Sequence, residues 1–531
     1  MSITIEQAFA MALRLQQAGQ HTQAAAAYER IIAINPQFAS AINNLGLLRA
    51  DMGQPEAAFL LFRLALTLAP DSANAWCNVG SHWLTAGRET EAAQAYDRSV
   101  RLNPQQPVLL NRLGLLLEAL KHPEDAQDAF ARAEKAAPLE AEYANNHGAM
   151  LRMAGQPLKA SRHFRRAIAL HPQHSNAYSN FGSAVKDIGA FWDALRAFHR
   201  ATRLDPNFAG AYWNESLVRL LLGDFVEGWR RYEWRWKHGH LPSPQRAFTQ
   251  PRWDGSPLKG RRLLVYWEQG YGDVLQFVRY APLIPRDAQD PPILLECQRD
   301  LAPILRSLPG VSAVATGDPL PDFDLQVPVL SLPLLFGTRL ETIPSRVPYL
   351  HAEPQTVARW ADRLSGLPGL KVGIVWAGSP THGNDRNRSI GLAPFARLAA
   401  IPGVSLVSIQ KGPTEGQAAN PPGGFPLLNL SPDIRDFADT AAIMTTLDLV
   451  VCVDTSVAHL AGALGVPVWV LVPFMPDWRW LLDRDDSPWY PTMRLFRQMQ
   501  AGDWDGVLDR LEQALRQRVD SLDPAPPQSG A

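Results

Sequence analysis

The chain has 531 residues, of which 46% are hydrophobic and 19% charged, and its formal net charge is -1. A chain of this length is too long for one hydrophobic core, so we expect two or three domains. The near-neutral charge gives no general reason to expect nucleic acid or an anionic membrane as a partner.

Cysteine usage and the apolar runs bear on the compartment. Cys77, Cys297 and Cys452 lie far apart, without metal-ligand spacing or a disulfide framework, which favours a reducing compartment. The first seven residues lack the pattern of a secretory signal, and charged residues interrupt the most apolar run, 447–474. We therefore expect a cytoplasmic protein without a transmembrane segment.

The first half of the chain repeats itself with a period of 34 residues. One column consists of prolines: Pro36, Pro70, Pro104, Pro138, Pro172 and Pro206. A second consists of glycines, with Lys121 in the one missing place: Gly19, Gly53, Gly87, Gly155, Gly189 and Gly223. A third contains small residues: Gly46, Gly80, Gly114, Gly148, Gly182 and Ser216. The second column predicts left-handed turns between helices, and the third predicts close helix packing.

This pattern resembles the tetratricopeptide repeat, a helical pair of the same period. The resemblance covers residues 5–242, as six full repeats and a seventh whose second helix, 226–236, departs from the pattern. It implies an α-solenoid. We expect residues 243–260 to form a linker and the stretch 230–236, rich in arginine and tryptophan, to pack against the next domain.

A column of asparagines lies on the first helix of each repeat, two residues before the small packing position, with Arg112 at the missing step. Its members are Asn44, Asn78, Asn146, Asn180 and Asn214. A side-chain amide both donates and accepts, so such a row can hold a peptide backbone without reading its sequence. The row resembles the asparagine ladder of the O-linked N-acetylglucosamine transferases, which implies protein or peptide binding in a groove. The alternative is that these amides only bridge neighbouring helices.

From residue 261 short apolar strands alternate with helices, which predicts doubly wound parallel sheets. The predicted strands are 263–268, 293–296, 311–315, 324–327, 372–376, 405–409, 449–453 and 468–472. A stretch rich in proline, 343–354, divides them into two Rossmann-like lobes, 261–350 and 351–519, before a tail, 520–531, that we expect to be disordered. Two such lobes in tandem suggest an acceptor side and a donor side around a cleft, the α/β architecture called GT-B among sugar transferases.

Two motifs carry a more specific resemblance. One is the turn 272–275 (Gly-Asp-Val-Leu), and the other is 454–460 (Asp-Thr-Ser-Val-Ala-His-Leu). Together, in this order, they resemble glycosyltransferase family 9, which contains the ADP-heptose:lipopolysaccharide heptosyltransferases. The resemblance spans about residues 260–515. The chain as a whole is similar to bacterial proteins that fuse tetratricopeptide repeats to such a transferase-like module.

The resemblance assigns a catalytic role to Asp273. Inverting glycosyl transfer requires a general base that removes the proton of the acceptor hydroxyl, and in the family the aspartate of this turn has that role. Gly272 of the same turn is assigned to the donor site. The alternative for Asp273 is a carboxylate that caps its own helix. A dinucleotide fingerprint is not indicated, because no third glycine opens the helix.

The second motif predicts the site of the donor phosphates. It places a polar turn between a strand end and a helix start, where free N–H groups and the helix dipole favour an anion. In the family the hydroxyls and N–H groups of this turn hold the phosphates, which assigns Thr455 and Ser456 to donor binding. His459 follows on the same helical face and is assigned with them, the alternative being a structural histidine.

Two further loops extend the predicted donor site. Arg388 lies about where the family has a phosphate-contacting lysine, and an arginine keeps the charge while allowing a bidentate contact. Its alternative is a solvated loop arginine. Lys411 and Glu415 follow the next strand, where they are expected to meet the base and ribose.

These assignments predict an inverting glycosyltransferase that uses a nucleotide sugar and an acceptor protein or peptide held by the repeats. Neither a metal nor another cofactor is expected. One alternative is a non-catalytic scaffold with a degenerate transferase-like domain. Another is a sugar-nucleotide epimerase of the same two-lobed fold, which needs acid and base groups that the sequence does not identify.

Overall fold

The computed structural model describes residues 3–239 and 246–522. The first residues of the predicted linker and most of the predicted tail lie outside this part of the chain. The chain divides into two compact units, Met1–Pro206 and Asn207–Ala531. Within the described part, no helix combines the length and the apolar composition needed to cross a membrane.

The first unit is a row of antiparallel helix pairs. Its helices are α1 (Ile5–Gln17), α2 (His21–Ile34), α3 (Ala39–Asp51), α4 (Pro55–Leu68), α5 (Ala73–Thr85), α6 (Glu89–Leu102), α7 (Pro107–Ala119), α8 (Pro123–Ala136), α9 (Ala141–Met153), α10 (Pro157–Leu170), α11 (Ser175–Lys186) and α12 (Phe191–Leu204). The left-handed turn predicted between the helices of a pair is present at each glycine of the second column. Lys121, in the missing place, adopts the same conformation with φ 65°.

The third column contains small residues because the two helices of a repeat pack closely at this position. A Cβ atom added at Gly148 would lie 2.8 Å from a ring carbon of Phe164, which is on the second helix of the same repeat. The same overlap, at 2.5 to 2.8 Å, recurs in the neighbouring repeats. At the five glycines of this column, any side chain would therefore push the two helices of a repeat apart.

The second unit begins with three more helices and continues with a parallel sheet. The helices are α13 (Ala209–Leu221), α14 (Phe225–Tyr232) and α15 (Arg235–His238). With eight residues, α14 is shorter than the 14-residue second helices of earlier repeats. The strands are β1 (Leu263–Tyr266), β2 (Ile293–Cys297), β3 (Val311–Ala315) and β4 (Leu325–Pro328), in the order β3-β2-β1-β4. The helices that follow strands of this sheet are α16 (Tyr271–Phe277), α17 (Ala302–Leu305) and α18 (Leu332–Leu335).

A second parallel sheet of six strands follows, in the order β10-β9-β8-β5-β6-β7. The strands are β5 (Leu370–Val375), β6 (Val404–Ser408), β7 (Leu428–Asn429), β8 (Leu449–Val453), β9 (Val468–Val472) and β10 (Met493–Arg497). The helices around it are α19 (Pro354–Leu364), α20 (Asp385–Arg388), α21 (Ala396–Ala399), α22 (Phe437–Met444), α23 (Ser456–Ala463) and α24 (Trp504–Leu522). Its central strands are buried on both faces, as a sheet covered by helices requires.

The predicted alternation of strands and helices is confirmed, with local differences. The helix after β1, α16, is α-helical only to Phe277 and continues as a 3-10 helix, in which Pro282 has no N–H group to continue the α-helical pattern. The edge strands β7 and β10 were not predicted. The first has only two residues, and the second places Arg494 among its apolar residues.

Candidate functional site

The polar turn after β8 lies at the switch point of the six-stranded sheet. Neighbouring strands β5 and β8 are followed by connections to opposite edges of the sheet, and open α/β sheets bind ligands in the crevice that forms there. The loop after β5 leads to Arg388, whose Nη1 donates to the Asp454 carbonyl at 2.8 Å. The structure thus brings Arg388 together with the turn that begins at Asp454.

The first turn of α23 has unused hydrogen-bonding capacity. Thr455 is the N-cap residue of this helix, but its hydroxyl makes no capping bond. Its Oγ1 is buried and has no hydrogen-bond partner among the described residues. A hydroxyl in this state, beside Ser456 and the first N–H groups of a helix, fits an anion.

Asp273 is the third residue of α16 and belongs to the first sheet's lobe. Its Oδ2 accepts a hydrogen bond from the Gly270 N–H at 2.7 Å, so it satisfies the start of its own helix. Its Oδ1 forms an ion pair with Arg479, which lies in the other lobe. Burial raises the pKa of Asp273, whereas the Arg479 charge acts to lower it.

Arg479 is fixed by three partners. Besides Asp273, its Nη1 contacts Asp477 Oδ1 at 2.8 Å and its Nε donates to Gln276 Oε1 at 2.7 Å. The nearby Asp454 also responds to this charge cluster. Burial, and secondly the negative charge of Asp477, raise the pKa of Asp454 to about 6.

Gly272 marks the closest approach of the two predicted motifs. A Cβ atom added there would lie 2.8 Å from His459 Cδ2 and 3.5 Å from the Ser456 Cα. The glycine therefore allows α16 to pack directly on the first turn of α23. The structure brings Gly272, Asp273, Ser456 and His459 into one neighbourhood.

The contacts of His459 are those of a packed side chain. Its ring stacks on Trp480, with centroids 5.3 Å apart, and its Nδ1 lies 3.0 Å from the Tyr490 hydroxyl. Burial holds the pKa of His459 well below its ordinary value. The imidazole is therefore neutral at pH 7, and these contacts favour the structural alternative over a phosphate contact.

Lys411 and Glu415 lie beyond the end of β6 and pair with one another. Lys411 Nζ is 3.0 Å from Glu415 Oε2 and also donates to the Ser431 carbonyl at 2.9 Å. Both side chains are partly exposed, at 45% and 38%. Gln410, which was not predicted, is buried beside them, where its Oε1 accepts from the N–H groups of Trp376 and Ala377, each at 3.0 Å.

Sequence reasoning also missed Arg479 as a site residue. Its neighbours Trp478 and Trp480 are both buried. Trp478 packs at right angles to Trp229 of α14, with ring centroids 5.3 Å apart. The position of Arg479 between two tryptophans could have indicated a buried cation, but the sequence does not show that Asp273 is its partner.

The predicted row of amides forms bonds between repeats. In three cases the Nδ2 of an asparagine in the row donates to the amide oxygen of an asparagine 35 residues earlier, in the previous repeat. These bonds, 2.9 to 3.0 Å long, join Asn78 to Asn43, Asn146 to Asn111, and Asn180 to Asn145. Asn44, in the first of these positions, donates instead to the Tyr28 hydroxyl at 3.3 Å. Asn214 lies half-buried on α13, in the second unit. The bridging alternative therefore accounts for the Nδ2 groups of the first four amides.

The chain is similar, over part of its length, to a known family, to curated proteins and to solved structures. A tetratricopeptide repeat family model matches residues 9–73, 51–107 and 111–175. The crystal structure of YrrB, a TPR protein with an unusual peptide-binding site, is 23% identical and covers 35% of this chain and 96% of its own, with a TM-score of 0.34. The crystal structure of the APC/C hetero-tetramer Cut9-Hcn1 is 16% identical, with coverage of 43% and 45% and a TM-score of 0.30.

Two curated relatives match over part of their length. Protein FlbA of Caulobacter vibrioides is 30% identical over 327 residues, which is 57% of this chain and 54% of FlbA. Anaphase-promoting complex subunit 3 of Schizosaccharomyces pombe is 28% identical over 102 residues, or 19% and 15% of the two chains. The chain thus spans about half the length of FlbA and less of the second relative. Residues 9–175 are composed of tetratricopeptide repeats, and an α/β region with two parallel sheets follows.

Proposed function

We propose that the chain is an inverting glycosyltransferase of GT-B architecture, similar to glycosyltransferase family 9. It transfers a sugar from a nucleotide sugar to a protein or peptide that the repeats bind. The observation that carries the proposal is the meeting of the two motifs: the turn with Gly272 and Asp273 lies directly on the first turn of α23, beside Ser456. An acid–base group and an anion-binding turn thus come from two different sheets.

The proposed step uses these groups in defined roles. The acceptor oxygen attacks C1 of the sugar, its proton passes to the Asp273 carboxylate, and the bond from C1 to the phosphate oxygen breaks with the electron pair leaving on the nucleoside diphosphate. Arg388, Thr455 and Ser456 bind the phosphates, and the cation stabilises the charge that develops on the leaving group. Each Asp273 oxygen has a second lone pair beyond its contacts with Gly270 and Arg479, so the carboxylate retains capacity to accept this proton.

A second candidate function is a non-catalytic scaffold. It is favoured by the close packing of Gly272 against His459 and by the ion pair between Asp273 and Arg479. The partial match to a subunit of the anaphase-promoting complex is consistent with an assembly role for the repeats. In this alternative the α/β region is a degenerate transferase.

Titration with nucleotide sugars separates the two functions. We expect one of the UDP-, ADP- or GDP-sugars to raise the melting temperature of the full chain, because a ligand at 100 times its Kd stabilises the folded state by about 2.7 kcal/mol. Ser456→Ala and Arg388→Gln should reduce this shift. The control Asp318→Asn, on an exposed ion pair with Arg299, should not. If no nucleotide sugar stabilises the chain, the glycosyltransferase proposal is wrong.

The base assignment has its own test. Asp273→Asn should abolish release of nucleoside diphosphate from the donor that stabilises the chain, while most of the shift in melting temperature persists. The amide keeps the shape of the carboxylate but does not take up a proton. Undiminished release by this variant would exclude Asp273 as the base.

A further inference from the structure

Three ionisable side chains meet inside the repeats, far along the sequence from the proposed transfer site. Glu134 of α8, His147 of α9 and His163 of α10 lie so that one ligand atom from each is within 4.8 Å of the others. The Nδ1 atoms of His147 and His163 are 2.7 and 2.9 Å from the same carboxylate oxygen, Glu134 Oε2. The side chains are 6%, 15% and 27% exposed, in that order.

The repeat itself shows that this cluster is not required by the architecture. One period earlier and one period later, the position of Glu134 holds Val100 and Ile168. The position of His147 holds Leu113 and Phe181, and that of His163 holds Ala129 and Ala197. These three positions are therefore apolar in the repeats before and after, whereas here they hold ionisable side chains that converge.

Burying a carboxylate is costly unless it is paired, and Arg166 already supplies a partner. Its Nη1 lies 3.2 Å from Glu134 Oε1, and its Nη2 donates to the Pro138 carbonyl at 2.7 Å. With this countercharge in place, neutralising Glu134 does not account for two imidazoles as well. Both Nδ1 atoms lie nearest Oε2, and His163 Nδ1 is also 3.2 Å from Oε1. Two histidines and one glutamate form a donor set that binds Zn²⁺ in proteins.

We propose that Glu134, His147 and His163 bind a divalent transition-metal ion of the Zn²⁺ class. The ion takes the place of the contacts between the two Nδ1 atoms and Oε2, and each neutral imidazole keeps its single proton on Nε2. Bond lengths of about 2.0 to 2.2 Å require a small outward shift of the rings. Arg166 remains on Oε1, where it orients the carboxylate, and the exposed edge of His163 leaves access for water as a further ligand.

The test uses the full chain, stripped of metal with a chelator and titrated with Zn²⁺ by calorimetry and with Co²⁺ by absorption spectroscopy. We expect saturable binding of about one ion per chain, visible d–d bands of Co²⁺ bound to nitrogen and oxygen, and a rise in melting temperature, because the three ligands come from three helices. His147→Leu and His163→Ala introduce the residues of the preceding repeat, so the metal-free variants should fold. Each should weaken binding at least tenfold, an effect of about 1.4 kcal/mol or more.

The control His122→Gln removes an exposed histidine at the start of α8 and should leave affinity and spectrum unchanged. The absence of saturable Zn²⁺ or Co²⁺ binding to the native chain would overturn the proposal. Equal binding by the native chain and by the double variant of His147 and His163 would also overturn it, because the ion would then lie elsewhere.

Discussion

At Asp273, burial and the neighbouring Arg479 shift the pKa of the carboxyl group in opposite directions. Burial raises its pKa above the ordinary value of 3.8, and the Arg479 charge lowers it. A general base works only in its deprotonated form, so activity is lost as pH falls through the pKa of Asp273. Arg479 thus opposes the effect of burial and favours the deprotonated form of the proposed base. Asp477 and Gln276, the other partners of Arg479, hold its guanidinium in place.

This arrangement predicts the pH dependence of donor turnover. Replacing Arg479 by Gln removes the positive charge, raises the pKa of Asp273 further and should move the ascending limb of the rate profile to higher pH. Arg479→Lys keeps the charge and should move the limb less. The measurement is the release of nucleoside diphosphate against pH, on the donor found by thermal stabilisation. An unchanged limb in Arg479→Gln would show that Asp273 does not set it.

Some residues of the candidate site were predictable and others were not. The turns at Gly272 and Thr455 follow apolar strands and precede helices, so local sequence placed them at the edges of parallel sheets. Arg479 contacts Asp273 across a separation of 206 residues, and no local pattern contains that information. The packed state of His459 depends likewise on Tyr490 and Trp480, which belong to a later loop.

At the scale of the element, the turn between two repeat helices keeps its left-handed conformation even where the residue in it disfavours that conformation. Six repeats use glycine at a left-handed position, and Lys121 adopts φ 65° in the remaining one. A non-glycine residue there costs about 1 to 2 kcal/mol in local sterics. The packing of α7 and α8 therefore imposes the turn on Lys121.

Lys121→Gly should accordingly stabilise the chain, by up to about 1 kcal/mol, since glycine removes the steric cost but gains freedom in the unfolded state. Gly155→Ala, at φ 74° in the following repeat, should destabilise it by a similar amount. Thermal unfolding followed by circular dichroism measures both changes. A loss of stability in Lys121→Gly would mean that the lysine side chain makes a favourable contact that exceeds its strain.

The elements that the sequence predicted best are those with a strong internal period. The repeat helices and the buried strands β8 and β9 have the predicted order, because each pattern specifies its own burial. The helices of the first lobe were harder to predict because some are too short to show a helical period, as in α17 (Ala302–Leu305), which has only four residues. Edge strands such as β7 carry no apolar run that distinguishes them from a loop.

At the scale of the whole molecule, the second unit contains helices as well as sheets. α13 to α15 continue the helical pattern in sequence, but they belong to the unit Asn207–Ala531. They are attached by an aromatic cluster around Trp229 and by a buried ion pair. Arg235, at 0% exposure, contacts Glu268 at 1% exposure through two bonds, Nε to Oε2 at 2.7 Å and Nη2 to Oε1 at 2.6 Å.

This pair predicts how strongly α15 is attached to the first sheet. Glu268→Gln leaves a buried guanidinium without its full countercharge and should lower the free energy of unfolding by about 3 to 5 kcal/mol. The double variant Arg235→Met with Glu268→Leu removes both charges and should lose less than the single variant, because no unpaired charge stays buried. Asp318→Asn, on the exposed pair with Arg299, should cost at most about 1 kcal/mol. Urea unfolding followed by tryptophan fluorescence reports mainly on this unit, where most of the 16 tryptophans lie. If Glu268→Gln lowers the free energy of unfolding no more than Asp318→Asn does, packing alone holds α15 to the sheet.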